Sequence, residues 1–237
     1  MNRHTNAGAS AVVVFCKPPV SGRVKTRLIG ALSAAEAAEV HRACLADTVA
    51  MVNAVRGAKT WLFVAAGRAT ARRLAAQLKL AKKWRVSTQQ GADLGERMRN
   101  ALWGQLRSGA TKVVIVGTDS PWMGRERIER ALRLLDRADV VLGPSEDGGY
   151  YLVGARRVAP QMFSGIAWGM AKVLSETLRA LRATRTEFRL LKWDFDLDRP
   201  EDLKRMERMA RRGRLRAAKL TQWARKWEKS RTEKKRA

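Results

Sequence analysis

Short apolar runs and longer amphipathic stretches alternate along most of the chain. The apolar runs have the length and composition of strands, and they lie at about residues 11–16, 60–65, 84–88, 112–117, 139–143, 150–154 and 189–193. Patterns typical of helices lie between most of them, at about residues 33–55, 69–80, 95–107, 124–136 and 169–183. A further helix is expected from about Pro200 into the C-terminal segment. This alternation predicts an α/β layered fold with a mostly parallel central sheet.

The loop after the first strand is basic. Ligands of such sheets bind beyond the carboxyl ends of the strands, and the first loop there is FCKPPVSGRVKTRL, residues 15–28. It places Lys17, Arg23, Lys25 and Arg27 in a segment broken by proline and glycine, which suits a polyphosphate. The string departs from a P-loop, which needs adjacent Gly-Lys-Ser/Thr. A basic surface turn is the alternative interpretation.

A carboxylate ends the strand in VVIVGTDSP, residues 113–121. Asp119 follows the apolar run at a position where it could hold a divalent cation against phosphate oxygens. The alternative is a turn or capping residue before the next helix. The residues alone leave both interpretations open.

A second group of carboxylates lies in DFDLDRPEDL, residues 194–203. In an extended segment Asp194, Asp196 and Asp198 alternate onto one face, where they repel one another unless a cation or a basic group intervenes. A metal site is one interpretation, and a salt-bridge network with the many arginines is the other.

Two glycine-rich segments follow predicted strands, QQGADLGERM (89–98) and GPSEDGGYYLVG (143–154). Gly91 and Gly95 flank Asp93 just before a helix, where backbone amides could face a nucleotide. Gly148 and Gly149 indicate a tight turn into the next strand. Either segment could be a turn and nothing more.

The charge of the chain is strongly positive but unevenly distributed. The 237 residues are 46% hydrophobic and 30% charged, a globular composition, with a net charge of +26. Residues 203–237 hold 15 Lys and Arg against 3 Asp and Glu, a net +12. Such a charge raises the possibility of nucleic-acid binding, but its concentration in the tail favours a solvated or self-packing basic helix. Contact of that tail with an anionic surface is the secondary expectation.

Residues that are rare or absent narrow the chemistry. The two histidines, His4 and His41, make a histidine-based triad or zinc site a poor interpretation. Cys16 and Cys44 have neither metal-type nor disulfide-type spacing. No run reaches transmembrane length and the N-terminus lacks a signal-peptide core, so we expect a soluble, cytoplasmic protein. The basic loop and the carboxylates then suit metal-assisted attack on a nucleoside diphosphate or triphosphate.

Five motifs, in order over about residues 11–205, resemble one bacterial family. They are F-x-K-x-P-x-x-G-x-x-K-T-R-L, Q-x-G-x-D-L-G-x-R-M, G-T-D-S-P, G-P-x-x-D-G-G-Y-Y-L-x-G and D-x-D-x-P-E-D-L. The last departs from the pattern, with Arg199 before Pro200. The family is that of radical-SAM/selenodomain-associated, or arsenosugar-biosynthesis-type, glycosyltransferases of the GT-A glycosyltransferase and nucleotidyltransferase superfamily. The chain is more distantly similar to 2-phospho-L-lactate guanylyltransferase and molybdenum-cofactor guanylyltransferase.

The resemblance implies a Rossmann-like three-layer α/β/α GT-A fold. It also implies roles for particular residues of the five motifs. Residues expected to bind the nucleotide are Lys17, Gly22, Lys25, Arg27, Gln89, Asp93 and Gly95. Ligands expected for Mg²⁺ or Mn²⁺ are Asp119 with Asp196 or Asp198. The sugar or acceptor would face Asp147, Gly148 and Gly149. Catalysis would depend on Lys25, Asp119 and Asp147, the last as a base.

Three segments are expected, a disordered N-terminus at residues 1–10, a catalytic domain at 11–212 and a basic helix or tail at 213–237. The implied activity is glycosyl transfer from a nucleotide sugar to a small-molecule acceptor. A nucleotidyltransferase that releases pyrophosphate from a nucleoside triphosphate is the alternative. A nucleic-acid-binding protein driven by the basic charge is the third interpretation, and the least favoured.

Overall fold

A computed structural model describes residues 9–236 and the side chains of residues 9–233. Most of the predicted disordered N-terminus, residues 1–8 with His4, and the last residue of the predicted tail, Ala237, lie outside the described residues. Within them, no helix is both long and apolar enough to cross a membrane.

Seven strands of the described part of the chain form one sheet. They are β1 (Ser10–Cys16), β2 (Ala58–Val64), β3 (Arg85–Thr88), β4 (Val113–Val116), β5 (Val140–Pro144), β6 (Tyr150–Ala155) and β7 (Phe188–Leu190). Their spatial order is β3-β2-β1-β4-β6-β5-β7. All neighbours pair in parallel except β6, which is antiparallel to both β4 and β5. The expected α/β fold with a mostly parallel sheet is confirmed.

Seven α-helices accompany the sheet within residues 9–236. They are α1 (Ala34–Asn53), α2 (Arg68–Gln77), α3 (Leu94–Arg107), α4 (Arg125–Leu134), α5 (Val173–Ala183), α6 (Pro200–Arg211) and α7 (Ala218–Arg236). The expected helix at 169–183 begins only at Val173, and the helix from Pro200 is interrupted by residues 212–217, where Gly213 has a φ of +64°. Residues 169–172 therefore belong to the loop before α5.

Alternate residues of β1 face opposite layers. Val12 and Val14 belong to an apolar cluster with side chains of α1, α2 and α4, whereas Val13 and Phe15 belong to a cluster with side chains of α3 and α5. A strand that is buried on both faces is typical of a parallel sheet covered by helices on both sides. The molecule is thus a three-layer α/β/α structure, with β1 and β4 in the middle of the sheet.

Helix α7 packs against α1 rather than extending into solvent. Its Leu220, Trp223 and Trp227 are buried in a third apolar cluster. The carboxylate of Asp47, on α1, accepts hydrogen bonds from the backbone N–H groups of Lys219 and Leu220 at 2.9 and 2.8 Å. The same cluster includes side chains of α6, so the expected boundary at residue 212 separates two helices that share one apolar core.

Candidate functional site

A cleft of about 550 Å³ opens at the carboxyl ends of β1 and β4. Its walls include the loop after β1, the strand end at 117–119 and the turn before β6. A second cavity of about 610 Å³ lies elsewhere, among residues 53–59, Lys83 and Arg125, and contains none of the predicted site residues. The chemistry predicted from the sequence therefore points to the first cleft, which we call the active-site cleft.

Lys25 connects the two halves of the predicted site. Its backbone has a φ of +50°, unusual for a residue other than glycine, and its side chain is only 2% exposed. The ammonium group contacts the Asp119 carboxylate at 2.5 Å and donates to the carbonyl oxygen of Leu197. Burial alone would lower the pKa of Lys25, but the Asp119 carboxylate outweighs it and the pKa is raised. Lys25 is therefore a buried, charged ammonium group.

Asp119 is at the end of β4, as the sequence predicts. Its side chain is 43% exposed and lines the active-site cleft. Burial would raise its pKa, but Lys25 and, less strongly, His41 overcome this effect and the pKa lies below the usual Asp value. Asp119 is thus a carboxylate with one buried cationic partner and one side open to the cleft.

The three carboxylates of the 194–198 segment have different surroundings. Asp194 forms an ion pair with Arg127 at 2.8 Å and Asp198 with Arg27 at 2.5 Å. Asp196 lines the cleft and accepts a hydrogen bond from the Ser120 hydroxyl. The salt-bridge interpretation thus describes Asp194 and Asp198, although Asp198 also lines the cleft, whereas Asp196 lines the cleft with no ion pair among the described residues.

The pKa of the Asp196 carboxyl group is raised. Burial, the nearby charge of Asp119 and the charge of Asp147 raise its pKa from 3.8 to about 7. A hydrogen bond from Ser120 opposes this rise only in part. Close carboxylates without a shared counter-charge favour either a proton or a bound cation.

The cleft offers few protein ligands for the expected divalent cation. Among the described residues, no group of three or more His, Cys, Asp or Glu side chains could hold a metal ion. Two carboxylates, Asp119 and Asp196, nevertheless meet at the cleft. Mg²⁺ is commonly held by one or two carboxylates together with substrate phosphates. These residues fit a cation that arrives with a nucleotide, and do not fit a metal centre made of protein ligands alone.

The other predicted phosphate-binding residues lie at the mouth of the cleft. Lys17, Arg23 and Arg27 line it, and the side chain of Arg27 is 52% exposed although it pairs with Asp198. Gly22 has a φ of +74°, which favours glycine, but it is not among the residues that line the cleft.

His41 is a cleft residue that the sequence did not single out. It lies on α1, is 5% exposed, and its Nε2 donates to the carbonyl oxygen of Lys17 at 3.0 Å. Burial lowers its pKa, so the ring is neutral at pH 7 and carries its proton on Nε2. Its position in the middle of a predicted helix gave no signal of this contact.

The predicted base or ribose contacts have mainly structural partners. The Gln89 side-chain amide donates to the carbonyl oxygens of Cys16 and Phe63, which joins the ends of β1 and β2, although Gln89 also lines the cleft. Asp93 caps α3 by accepting from the Glu96 backbone N–H at 2.8 Å. Neither Asp93 nor Gly95 is among the residues that line the cleft.

The predicted acceptor turn lies beside the cleft. Asp147 and Gly149 line it, and Asp147 Oδ1 accepts from the Gly149 backbone N–H at 2.9 Å. Gly148 faces elsewhere, since a Cβ atom there would lie 2.0 Å from the carbonyl oxygen of Ala171. This glycine makes room for a neighbouring loop.

Two further cleft residues that the sequence did not identify are Trp168 and Met170. They lie in the loop formed by residues 164–172, part of which was expected to be helical. The dipeptide Trp168-Gly169 is visible in the sequence, but the contacts of this loop with two distant glycines, which help to place it at the cleft, are not.

Comparisons with known proteins agree with this architecture. The family of bacterial proteins described as "Uncharacterized protein conserved in bacteria (DUF2064)" matches residues 48–170, just over half of the chain. A candidate nucleotide-diphospho-sugar transferase from Desulfovibrio desulfuricans G20 is 32% identical. The match covers 92% of this chain and 94% of that one, with a TM-score of 0.85.

More distant solved structures share the fold. A cytidylyltransferase from Leptospira borgpetersenii is 9% identical over 85% of both chains, with a TM-score of 0.56. A 4-diphosphocytidyl-2C-methyl-D-erythritol synthase from Anaerococcus prevotii is 10% identical over 81% of this chain and 92% of that one, with a TM-score of 0.51. A search of curated proteins finds no match. The chain belongs to the DUF2064 family and is a transferase with the Rossmann-like fold of nucleotide-diphospho-sugar transferases.

Proposed function

We propose that this transferase is a metal-dependent glycosyltransferase of the arsenosugar-biosynthesis type, with a nucleotide-sugar donor and Mg²⁺ or Mn²⁺ as its cation. The observation that carries the proposal is the meeting of the basic loop and the strand-end carboxylates in one cleft, at the 2.5 Å contact of Lys25 with Asp119. The likeness to the Desulfovibrio protein, itself a candidate nucleotide-diphospho-sugar transferase, supports the same class of substrate.

The basic loop after β1 would bind the donor phosphates. Lys17, Arg23 and Arg27 line the mouth of the cleft and Lys25 lies deeper in it. Fixed cations in a partly water-excluded cleft stabilise the negative charge that develops on a leaving nucleoside diphosphate. Lys25 would reach a phosphate by exchanging its Asp119 partner.

Asp119 and Asp196 would hold the cation. A bound divalent cation would supply Lewis-acid stabilisation of the phosphate oxygens. The raised pKa of Asp196 reflects burial and the facing Asp119 charge, and a carboxylate in such surroundings is stabilised by a nearby positive charge.

Asp147 is the proposed base. It is exposed at the cleft wall, and the Gly149 backbone N–H fixes one of its oxygens. The acceptor hydroxyl would give its proton to Asp147, and its oxygen would form a bond to the anomeric carbon. The bond from that carbon to the phosphate oxygen would break, and the nucleoside diphosphate would leave with the electron pair.

The second candidate is a nucleotidyltransferase. The fold likeness to cytidylyltransferases favours it, and the same cleft would accommodate a nucleoside triphosphate. A phosphorylated acceptor would then attack the α-phosphate and pyrophosphate would leave. Phosphorus NMR of a reaction mixture distinguishes the two, because one yields a nucleoside diphosphate and the other yields pyrophosphate.

A binding experiment tests the proposed site. Nucleotides and nucleotide sugars are screened by thermal shift with and without Mn²⁺, and the best ligand is measured by calorimetry. Asp119→Ala and Asp196→Asn are both expected to abolish the Mn²⁺-dependent part of binding. Asp136→Ala is the control, since it also removes an aspartate from a 2.5 Å lysine pair, with Lys112. Unchanged Mn²⁺ dependence in both cleft variants would remove the metal from the proposal.

A second variant tests the phosphate contact. Lys25→Ala should weaken nucleoside diphosphates and triphosphates far more than the matching nucleosides, because the ammonium group acts on phosphate charge. Equal weakening of nucleosides and nucleotides would mean that the loop after β1 does not bind phosphate.

A further inference from the structure

One wall of the active-site cleft is a loop held in place by two glycines. Residues 164–172, which we call the Trp168 loop, connect a short 3₁₀ turn ending at Phe163 to α5. The indole of Trp168 lies so close to Gly95 that a Cβ atom at that glycine would be 2.4 Å from it. Gly148 receives the Ala171 carbonyl in the same way, at 2.0 Å from a Cβ position. The position of this loop is therefore determined by close backbone packing.

Hydrogen bonds and ring contacts fix the loop further. The Ala167 backbone N–H donates to the Glu176 carboxylate at 3.0 Å. In the first turn of α5, the Leu174 backbone N–H donates to the Gly148 carbonyl oxygen at 2.8 Å. The Trp168 ring stacks on Phe163 and meets Tyr150 edge-on, each at 6.4 Å between centroids. Trp168 is thus held in one orientation without a ligand.

The surface that this loop presents to the cleft is apolar. Met170 is 63% exposed and Leu94, at the start of α3, is 46% exposed, and both line the cleft. Trp168 lines it as well, and its buried indole N–H has no hydrogen-bond partner among the described residues. Large apolar side chains exposed together in a substrate cleft are typical of a ligand contact.

The cleft is therefore lined by two chemically different groups of side chains. Lys17, Arg23 and Arg27 are cationic, and Leu94, Trp168 and Met170 are apolar. A donor would place its charged diphosphate on the cationic group. The turn with Asp147 contacts the Trp168 loop directly through Gly148, so an acceptor hydroxyl that reaches Asp147 brings the rest of its molecule beside the apolar group.

We propose that Leu94, Trp168 and Met170 form an acceptor subsite for an alcohol that carries an apolar or aromatic group next to its reactive hydroxyl. This inference rests on the proposed function for the identity of the site as an acceptor site. Trp168 and Met170 are binding residues that set acceptor specificity.

The test uses a minimal pair of alcohols, 2-phenylethanol and ethanol, which differ in the apolar group alone. Saturation-transfer NMR titrations of the full chain should give an affinity for 2-phenylethanol at least about tenfold higher, in line with the burial of one aromatic ring. Trp168→Ala should remove most of that preference. Trp103→Ala is the matched control, because Trp103 is 52% exposed on α3 and does not line the cleft.

Two further measurements test the inference even if Trp168→Ala does not fold. Met170→Gln alters a side chain that is mostly exposed, so it should fold normally and still weaken 2-phenylethanol by several fold. In the native protein, the indole N–H resonance of Trp168, assigned by its loss in Trp168→Phe, should shift on addition of 2-phenylethanol while that of Trp103 stays in place. Equal affinity for the two alcohols, or a preference that survives Trp168→Ala, overturns the inference.

Nucleotide binding is measured on the same samples. Binding of nucleotide with Mn²⁺ but no preference for 2-phenylethanol overturns the acceptor subsite and leaves the proposed function in place. A Trp168-dependent preference without any nucleotide binding supports the apolar subsite and contradicts the proposed function.

Discussion

Replacement of Lys25 by methionine is the most direct perturbation of the candidate site. The substitution keeps an unbranched side chain of similar length but removes the ammonium group that contacts Asp119 and the Leu197 carbonyl. The variant should be folded but less stable at pH 7, because both partners lose a charged donor.

The structure sets the size of this loss. Leu197 is fully buried, so its carbonyl oxygen keeps no contact with water after the change, and an unsatisfied buried group costs about 1–3 kcal/mol. Asp119 is 43% exposed and can be rehydrated, so the 3–5 kcal/mol typical of a broken, fully buried pair does not apply in full. A net loss of about 2–3 kcal/mol is expected, or about 5–10 °C in Tm for a chain of this size.

Urea and thermal unfolding measure this loss, with Lys79→Met as the control. Lys79 has the same φ of +50° but is exposed, so the control makes the same chemical change on the same backbone conformation without a buried partner. It should cost under about 0.5 kcal/mol. The double variant Lys25→Met/Asp119→Asn completes a cycle whose coupling energy should exceed about 1 kcal/mol.

The pH dependence supplies the sign of the effect. The pKa of Asp119 is lowered in the folded protein, so the pair stabilises the fold above the ordinary Asp pKa and this contribution is lost as the pH falls through the folded pKa. The difference between native protein and Lys25→Met should therefore shrink below about pH 4. A difference equal to that of Lys79→Met, or one independent of pH, would refute the idea that this ion pair is a buried link between the two loops.

Three other variants test separate parts of the structure. The pKa of Asp196 is raised to about 7, so between about pH 4 and 7 the folded protein binds more protons than the unfolded chain, and its free energy of unfolding falls as the pH rises. Measured in EDTA, Asp196→Asn should remove this decline, which amounts to as much as about 4 kcal/mol. Gly148→Ala should lower the free energy of unfolding in urea by more than about 2 kcal/mol, because its Cβ would lie 2.0 Å from a backbone oxygen. The control Gly165→Ala, at a glycine with a φ of +67° and open space around it, should lower it by only about 1 kcal/mol. Trp223→Ala should lower the free energy of unfolding by about 3–5 kcal/mol, because it leaves a cavity between α7 and α1. Trp103→Ala removes a side chain that is 52% exposed and should lower it by under about 1 kcal/mol, so equal losses would mean that α7 does not pack on α1.

The helices and strands could be predicted because their signals are local. The apolar run of β1 is buried on both faces, and Ser33 with Glu36 forms the capping box that starts α1. The direction of β6 carries a weaker signal. The connection from β5 to β6 is too short for a parallel crossover, so the pair must be antiparallel, as observed.

The pairing of charged side chains could not be predicted in the same way. Lys25 and Asp119 are 94 positions apart, and periodicity places each at a strand end without giving its partner. The alternation of Asp194, Asp196 and Asp198 predicts one shared face, yet two of them pair with arginines from other elements. Which aspartate stays without an arginine partner depends on the positions of those arginines in three dimensions.

The glycine motifs illustrate the opposite error. Gly95 and Gly148 have the sequence context of backbone that approaches a nucleotide or a sugar, and close approach is indeed the reason for glycine at both positions. The approaching groups are Trp168 and Ala171 of the same chain. A motif reveals that space is needed at a position, but not what fills it, and here the loop that fills it contributes apolar side chains to the cleft.

Two basic groups of the cleft are therefore already paired with carboxylates before any substrate arrives. Lys25 holds Asp119 and Arg27 holds Asp198. Under the proposed function, the donor diphosphate must displace these carboxylates from the two cations. The displaced carboxylates then need another positive charge beside them. A divalent cation bound together with the nucleotide satisfies both demands at once, because it neutralises Asp119 while Lys25 moves to phosphate. Such an exchange would allow a loop whose central lysine is already paired to bind phosphate, and it would bring the raised pKa of Asp196 and the buried Lys25 into one balance of charge.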